Sequence, residues 1–532
     1  MAHPRWEIDV WRDYLATRRA AAGLRELEPR GPGVALISLY RDNVFEAKMA
    51  MIGGTALRLD GLRIVVAIAD SRSSRSRRFV KALGADEVVD REALDDRLTD
   101  EDDRIRGAAT EEFMAIARDA GSAKEWTFEG YQAGMHILSS LIRLTFDGNP
   151  DLAERAALLR KVADDTLLQY QRCALLLDDL RPELVLVQEA NYAFNGPLVD
   201  LATARGIDVI QTITTWRDDA LMSKRLTAET RRVDAKSVAR STLDALDVSD
   251  PWTERHDADL DEDFDRRYGG YWKLGGQFQP DTRHYGDDEL PTLLGIDPEK
   301  PTAIVFAHVL WDASLFFGVD LFANYTEWLT ETVRAAIGND HVNWVIKAHP
   351  ANVFRQSHGD VGGDAAEVIL LREIAPDPPN HVRILLPETY ISTVSLYEFA
   401  DIAVTVRGTP GLEMACFGKP VITAGTGSYS GLGFTIDSSS RKEYLGRLAS
   451  LPDVGAGSPC DTALARRYGH TLLLRRPRVP HPFGIRIDLP DRGWHPIDHN
   501  VAVPSTVLDQ PGSLGEWADW ARRQRSADDL PV

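Results

Sequence analysis

The spacing of short apolar runs constrains this chain more than any other feature. Gly33-Val-Ala-Leu-Ile-Ser-Leu39 is a β-rich run, a helical stretch follows near Phe45 to Leu59, and Leu62-Arg-Ile-Val-Val-Ala-Ile68 is a second run. Strand, helix and strand at that spacing form a βαβ unit, hence a parallel sheet with helices on its faces. The pattern returns at Leu184-Val-Leu-Val187 and passes through a helical Gly196 to Ala204 into Ile207-Asp-Val-Ile210. Between the two units, about Thr110 to Leu180 has an apolar period of three and four and reads as mostly helix.

The alternation dissolves from about Ser249 to Lys300, where an acidic run (Asp257 to Asp263) precedes Gly269-Gly-Tyr-Trp-Lys-Leu-Gly-Gly276. This stretch is the expected interdomain crossing. Beyond it, strands are expected at 302–307, 342–347, 382–386, 401–406 and 420–424, and helices at 321–337, 392–400 and 411–417. The expected fold class is therefore α/β: two doubly wound Rossmann-like domains, 1–290 and 291–532, facing a central cleft. A last helix, near Leu514 to Arg523, is expected to pack across both.

Composition narrows the function classes. Of 532 residues, 61 are basic and 81 acidic, and the resulting charge of −20 opposes broad nucleic-acid binding, which needs a basic field. Cys173, Cys416 and Cys460 are too far apart for a disulfide framework or a cysteine-rich zinc site and suit a reducing compartment. Glu7 and Asp9 stand in an N-terminus without an apolar core, and no run of about 18 apolar residues occurs. A cytoplasmic protein is expected.

The most informative local sequence is Val404-Thr-Val-Arg-Gly-Thr-Pro-Gly-Leu-Glu413. A strand runs through Arg407, Gly408, Thr409, Pro410 and Gly411 directly into a helix. Glycines let backbone amides approach a ligand, proline suits a first helical turn, and a helix N-terminus offers unpaired N–H groups and positive dipole. Arg407 and the Thr409 hydroxyl add donors, and Glu413 lies one turn on, in reach of ribose hydroxyls. The plain alternative is an ordinary tight turn. Two neighbouring strand ends argue for a phosphate cradle: Lys347-Ala-His349-Pro350 closes one, and Gly425-Thr-Gly427-Ser428 follows the other.

Competing motifs fail. A Walker loop lacks its glycine at Glu413 and its hydroxyl at Pro420, and no Gly-x-Ser-x-Gly, His-Glu-x-x-His or Cys-x-x-Cys occurs. Asp257, Asp259 and Asp261 follow no apolar strand and read as solvated surface, so no metal site and no cofactor are expected.

Lys347-Ala-His-Pro350, Thr405-Val-Arg-Gly-Thr-Pro-Gly-Leu-Glu413, Gly418-Lys-Pro-Val421, Gly431-Leu-Gly-Phe-Thr435 and Glu443-Tyr-Leu445 together resemble the capsule polysaccharide biosynthesis proteins. These are GT-B-fold glycosyltransferases that include bacterial Kdo transferases. The resemblance covers residues 300–448. It implies a nucleotide-sugar donor, CMP-Kdo or another CMP-sugar, with His349, Thr409 and Ser428 as nucleotide ligands. The N-terminal half carries no matching motif, so the resemblance does not imply the acceptor; a surface or capsular glycan, free or lipid-linked, is the acceptor expected. The same strand–Gly-Thr-Pro-Gly–helix–Glu element is similar to the UDP site of GT-B sugar-nucleotide 2-epimerases. An epimerase, or a nucleotide-sugar sensor without turnover, is the alternative to a transferase.

Such transfer needs no metal where a helix dipole and cations stabilise the leaving phosphate, but it needs a base toward the acceptor hydroxyl. Carboxylates at expected strand ends are Asp42, Glu189 and Asp312, with His349 as an imidazole alternative; Glu129 and His136 lie in a helical region. For each carboxylate the competing role is a helix cap or a surface charge. The basic runs Arg72 to Lys81 and Arg475 to Arg478 read either as solvated helix ends or as peripheral contact with the inner membrane surface.

Overall fold

The computed structural model describes residues 4–70, 72–273, 282–311, 315–351, 364, 366–454, 460–488 and 498–523. The chain forms two compact units: residues 1–140, 152–231 and 476–532 make the first, and 141–151 with 232–475 the second. The break therefore falls at Arg231, not near 290, and the C-terminal segment belongs to the first unit.

In the first unit β1 (Val34–Ser38), β2 (Arg63–Ile68), β3 (Glu87–Asp90), β4 (Leu184–Val187), β5 (Asp208–Thr214) and β6 (Leu221–Leu226) form one sheet in the order β3-β2-β1-β4-β5-β6. All pairs are parallel except β5 with β6. β1 and β4 are buried at every position, which is why they appear in the sequence as unbroken apolar runs.

In the second unit β7 (Thr302–Phe306), β8 (Asn343–Lys347), β9 (Val382–Leu385), β10 (Ile402–Thr405), β11 (Val421–Thr423) and β12 (Ile436–Asp437) pair in the order β12-β11-β10-β7-β8-β9, all parallel. Numbered from each unit's first strand, both sheets run 3-2-1-4-5-6, the doubly wound Rossmann order. The chain is thus α/β with two Rossmann-like units, the domain pair of the GT-B class. In each sheet the topological switch point, where ligands bind in such folds, lies between its first and fourth strands. That is β1 and β4 in the first unit, and β7 and β10 in the second.

Three expectations need correction. The stretch 249–300 is no crossing: the helices Glu254–Tyr268 and Leu290–Leu294 belong to the second unit. Leu260, Phe264 and Arg267 are buried on the first of these, while Asp257 and Asp261 both bind Arg466, so the acidic residues masked a helical period. Strand β6 went unread because Lys224 and Arg225 interrupt its apolar run, although both are buried. Arg225 donates to Asp208 (2.7 Å) and to the carbonyls of Trp520 (2.9 Å) and Ala521 (3.0 Å). It thereby fixes the helix Leu514–Arg523 within the first unit, where that helix had been expected to span both.

Candidate functional site

Four strand ends of the second unit carry the site. β7 runs into Ala307-His308, β8 into Ala348-His349, β10 into Val406-Arg407-Gly408 and β11 into Ala424 to Ser428. Because β7 and β10 are adjacent in the sheet, His308 and Arg407 flank the switch point itself.

His308 is half-buried, stacked on Tyr325 with ring centroids 4.5 Å apart, and edge-on to Trp328 at 5.6 Å. Its Nε2 lies 3.1 Å from Thr405 Oγ1 and accepts the amides of Val406 (3.3 Å) and Arg407 (3.4 Å). Those amides make Nε2 the acceptor, which assigns the ring proton of the neutral tautomer to Nδ1. Burial, then the charges of Arg407 and His349, push its pKa down to about 3, so the ring is neutral at pH 7. His349 is neutral for the same reasons: burial and Lys347 lower it to about 4. Its Nδ1 accepts Ala351 N at 3.1 Å, leaving Nε2 as the protonated donor nitrogen. Lys347 is buried, and burial brings its pKa down to about 8 against the opposing pull of Glu367. The Glu367 carboxylate meanwhile accepts His349 N at 2.5 Å.

The helix Thr409–Cys416 starts at this edge with Gly408 as its cap and no side chain capping it. Thr409 and Ser428 are half-buried, and among the described residues neither hydroxyl has a hydrogen-bond partner. Lys347, His308, Thr409 and Ser428 thus offer one cation, one neutral imidazole donor and two hydroxyls beside a helix N-terminus, with the neutral imidazole of His349 at the neighbouring strand end. That combination suits a phosphate ester.

Other expected ligands are engaged elsewhere. Arg407 donates to the carbonyl of Phe317 and to Asp320, tying the 315–320 segment to the sheet. Asp320 also bridges Gly425, and Thr426 N donates to Val319 O at 2.9 Å. Gly427 is small because a Cβ there would come within 2.4 Å of Arg407 Cβ. Gly411 donates its amide to Gly408 O (2.9 Å), and a Cβ on it would lie 2.2 Å from the Tyr429 hydroxyl, which itself donates to Gly408 O at 2.7 Å. Both glycines serve close packing. Glu413 is buried and accepts from Arg267, Tyr268 and Tyr397, so it does not reach out toward a ribose.

In the first unit Glu189 follows β4 at the switch point, half-buried, with Oε1 accepting Asn191 N at 3.0 Å. Asn195 holds the loop from below by donating to Glu189 O (2.8 Å). Asp42 accepts Ser76 N at 2.7 Å and caps the helix Ser74–Ala82. Glu129 and Gly130, both at positive φ, form an exposed turn closed by Phe128 and Tyr131. His136 is buried against Asp200 (2.9 Å), which also accepts from Tyr170 and Arg231. Burial would raise the Asp200 pKa, but His136 and Arg231 hold the carboxyl far below its ordinary range. Arg475 pairs with Asp250 and Arg476 is buried, so of that basic run only Arg478 stands exposed. Asp312 lies outside the described residues. Among the described residues no group of three or more His, Cys, Asp or Glu could hold a metal ion, and no helix is long and apolar enough to cross a membrane.

His308 escaped sequence reasoning, although the signal that singled out His349, a histidine just past an apolar run, applied equally to it. Tyr429 and Asp320 carry no local signal; only their contacts reveal them.

Two Rossmann-like units, the second with a basic, hydroxyl-bearing edge at its switch point, define a chain of the GT-B class. Among solved structures it is similar to the KpsC β-Kdo 2,7 transferase of Thermosulfurimonas dismutans, with 16% identity over 65% of this chain and 89% of that one and a TM-score of 0.33. It is also similar to the UDP-GlcNAc 2-epimerase of Neisseria meningitidis bound to UDP-GlcNAc (12% identity, 83% and 100% covered, TM-score 0.24). A third is the spinosyn rhamnosyltransferase SpnG complexed with thymidine diphosphate (12% identity, 84% and 97% covered, TM-score 0.28). No protein-family model matches the chain, and no curated protein sequence matches it.

Proposed function

We propose that the chain is a metal-independent glycosyltransferase that takes a sugar from a nucleotide-sugar, a CMP-sugar such as CMP-Kdo before a UDP-sugar. The acceptor on this reading is a surface or capsular glycan, and the protein works in the cytoplasm. The observation that carries the reading is the convergence of Lys347, His308 and His349 on the β7–β10 switch point beside the N-terminus of Thr409–Cys416. Lys347 supplies charge to the leaving phosphate. His308 through Nδ1 and His349 through Nε2 donate hydrogen bonds without adding charge. Thr409 and Ser428 bind the remaining phosphate or ribose oxygens. With these groups stabilising the leaving nucleotide, no metal is required. Glu189 is the proposed base toward the acceptor hydroxyl, with Asp312 the other carboxylate in contention.

The test is a thermal-shift panel of CMP, UDP, GDP and their sugars on the wild type, His308→Ala and Lys347→Met. A nucleotide at about 100 times its dissociation constant stabilises by roughly 2.7 kcal/mol, and both variants should lose most of that shift, each read against its own unliganded melting temperature, which His308→Ala lowers by unpairing the Val406 and Arg407 amides. Full shifts in both variants would remove the nucleotide from this edge. Interconversion of the nucleotide-sugar without any acceptor would identify an epimerase instead.

A further inference from the structure

The first helix of the chain, Pro4–Ala20, has two faces with different chemistry. Its inner face is fixed: Val10 and Thr17 are buried, Asp13 pairs with Lys48 at 3.1 Å, and Tyr14 meets the edge of Phe79 at 5.8 Å. Its outer face carries Ile8, Trp11, Arg12, Leu15, Arg18 and Arg19, spaced as one helical stripe. Ile8 is 51% exposed and Trp11 49% exposed, among the most exposed large apolar side chains on the described surface.

The neighbouring helix, Ser74–Ala82, is joined to it through Arg75–Glu7 and Tyr14–Phe79 and exposes Arg78 and Lys81. Residues 7–19 and 72–81 hold eight basic and three acidic side chains in a protein whose net charge is −20. Glu7 is held by Arg75, Asp9 by Arg12 and Asp13 by Lys48, so the local surface is basic. Arg72 and Arg77 are occupied by Asp70 and Asp90, which leaves Arg18 and Arg19 exposed on the stripe and Arg78 and Lys81 exposed on the neighbouring helix, with Arg12 only weakly engaged at 3.3 Å.

We infer that this surface docks on an anionic lipid bilayer, with Ile8 and Trp11 entering the headgroup layer and the basic side chains meeting lipid phosphates. A convex stripe of three apolar side chains is too narrow for the buried core of a stable protein interface, whereas tryptophan and isoleucine ringed by arginine suit the boundary between headgroups and acyl chains. The charge complementarity is local, which reconciles attraction to an acidic surface with the chain's overall negative charge. The inference stands on this surface alone and does not depend on the donor-site reading.

The experiment is co-sedimentation of the full chain with vesicles of phosphatidylcholine containing 30% phosphatidylglycerol, and with phosphatidylcholine alone, in 0.1 M and 0.5 M salt. Binding is expected only to the anionic vesicles and should weaken at high salt. Each arginine near such a surface changes partitioning about fivefold, so Arg18→Ala with Arg19→Ala should lower it about thirtyfold. Trp11→Ser should lower it at both salt concentrations. All these side chains are exposed, so melting temperatures should not change, and Val248→Ser, at an exposed apolar residue of the second unit, should bind as the wild type does. Four results would overturn the inference: no binding to anionic vesicles at 0.1 M salt, equal binding to neutral vesicles, unchanged binding by the variants, or a dimer in light scattering that Ile8→Ser with Trp11→Ser dissolves.

Discussion

Replacing Glu413 by glutamine separates a structural from a ligand-binding role. Its carboxylate is buried, with one oxygen taking Arg267 and the other taking both the Tyr268 hydroxyl and, at 2.6 Å, the Tyr397 hydroxyl. Glutamine can keep its carbonyl toward the two phenols, but its amide then points N–H groups at the guanidinium of Arg267, donor against donor. Arg267 is itself buried and keeps Asp263 at 3.0 Å. Removing one partner of a buried ion pair costs about 3–5 kcal/mol, and the surviving Asp263 contact puts this case near 3. At about 2–4 °C per kcal/mol for a unit of this size, the second unit should melt 6–12 °C lower by scanning calorimetry. Tyr397→Phe removes a single donor, worth about 1 kcal/mol, and should lower it by roughly 2–4 °C. Nucleotide affinity of folded Glu413→Gln, titrated well below its melting point, should stay within about threefold of wild type. An unchanged melting temperature with a tenfold loss of affinity would refute the argument and return Glu413 to the ligand.

Three further outcomes follow from the same geometry. Burial lowers Lys347 to about 8, so its charge is present below that pH and lost above it; the dissociation constant for nucleotide should rise between pH 8 and 10, bound phosphate moving the midpoint upward. His308 and His349, already neutral, should add no step between pH 5.5 and 7, and a flat curve to pH 10 would exclude Lys347. Gly411→Ala should destabilise the second unit in urea by about 1–3 kcal/mol, because its methyl group collides with the Tyr429 hydroxyl, and Tyr429→Phe should restore part of that loss. Sugar transfer, measured with any donor the nucleotide panel identifies, should survive EDTA; strict dependence on added Mg²⁺ or Mn²⁺ would overturn the metal-free mechanism.

The sequence by itself determined the two parallel sheets and the edge at which to look. β1, β4, β7, β8 and β10 are buried at nearly every position, so their apolar runs are legible without any partner, and the helix start at Thr409 is announced by glycine and proline within five residues. What stayed hidden depends on neighbours far along the chain. Strand β6 and the helix Glu254–Tyr268 are rich in charge, and the contacts of Arg225 with Asp208 and of Arg267 with Asp263 and Glu413 make the burial of those charges tolerable. The same holds for the site. Arg407 and Glu413 stand in the right motif, yet Asp320, 87 residues away, and Arg267, 146 residues away, claim their charges. Local sequence decides which chemistry a residue can offer, whereas tertiary structure decides whether that chemistry is already satisfied, because a buried charge must be paired by whatever side chain the fold brings within hydrogen-bond distance.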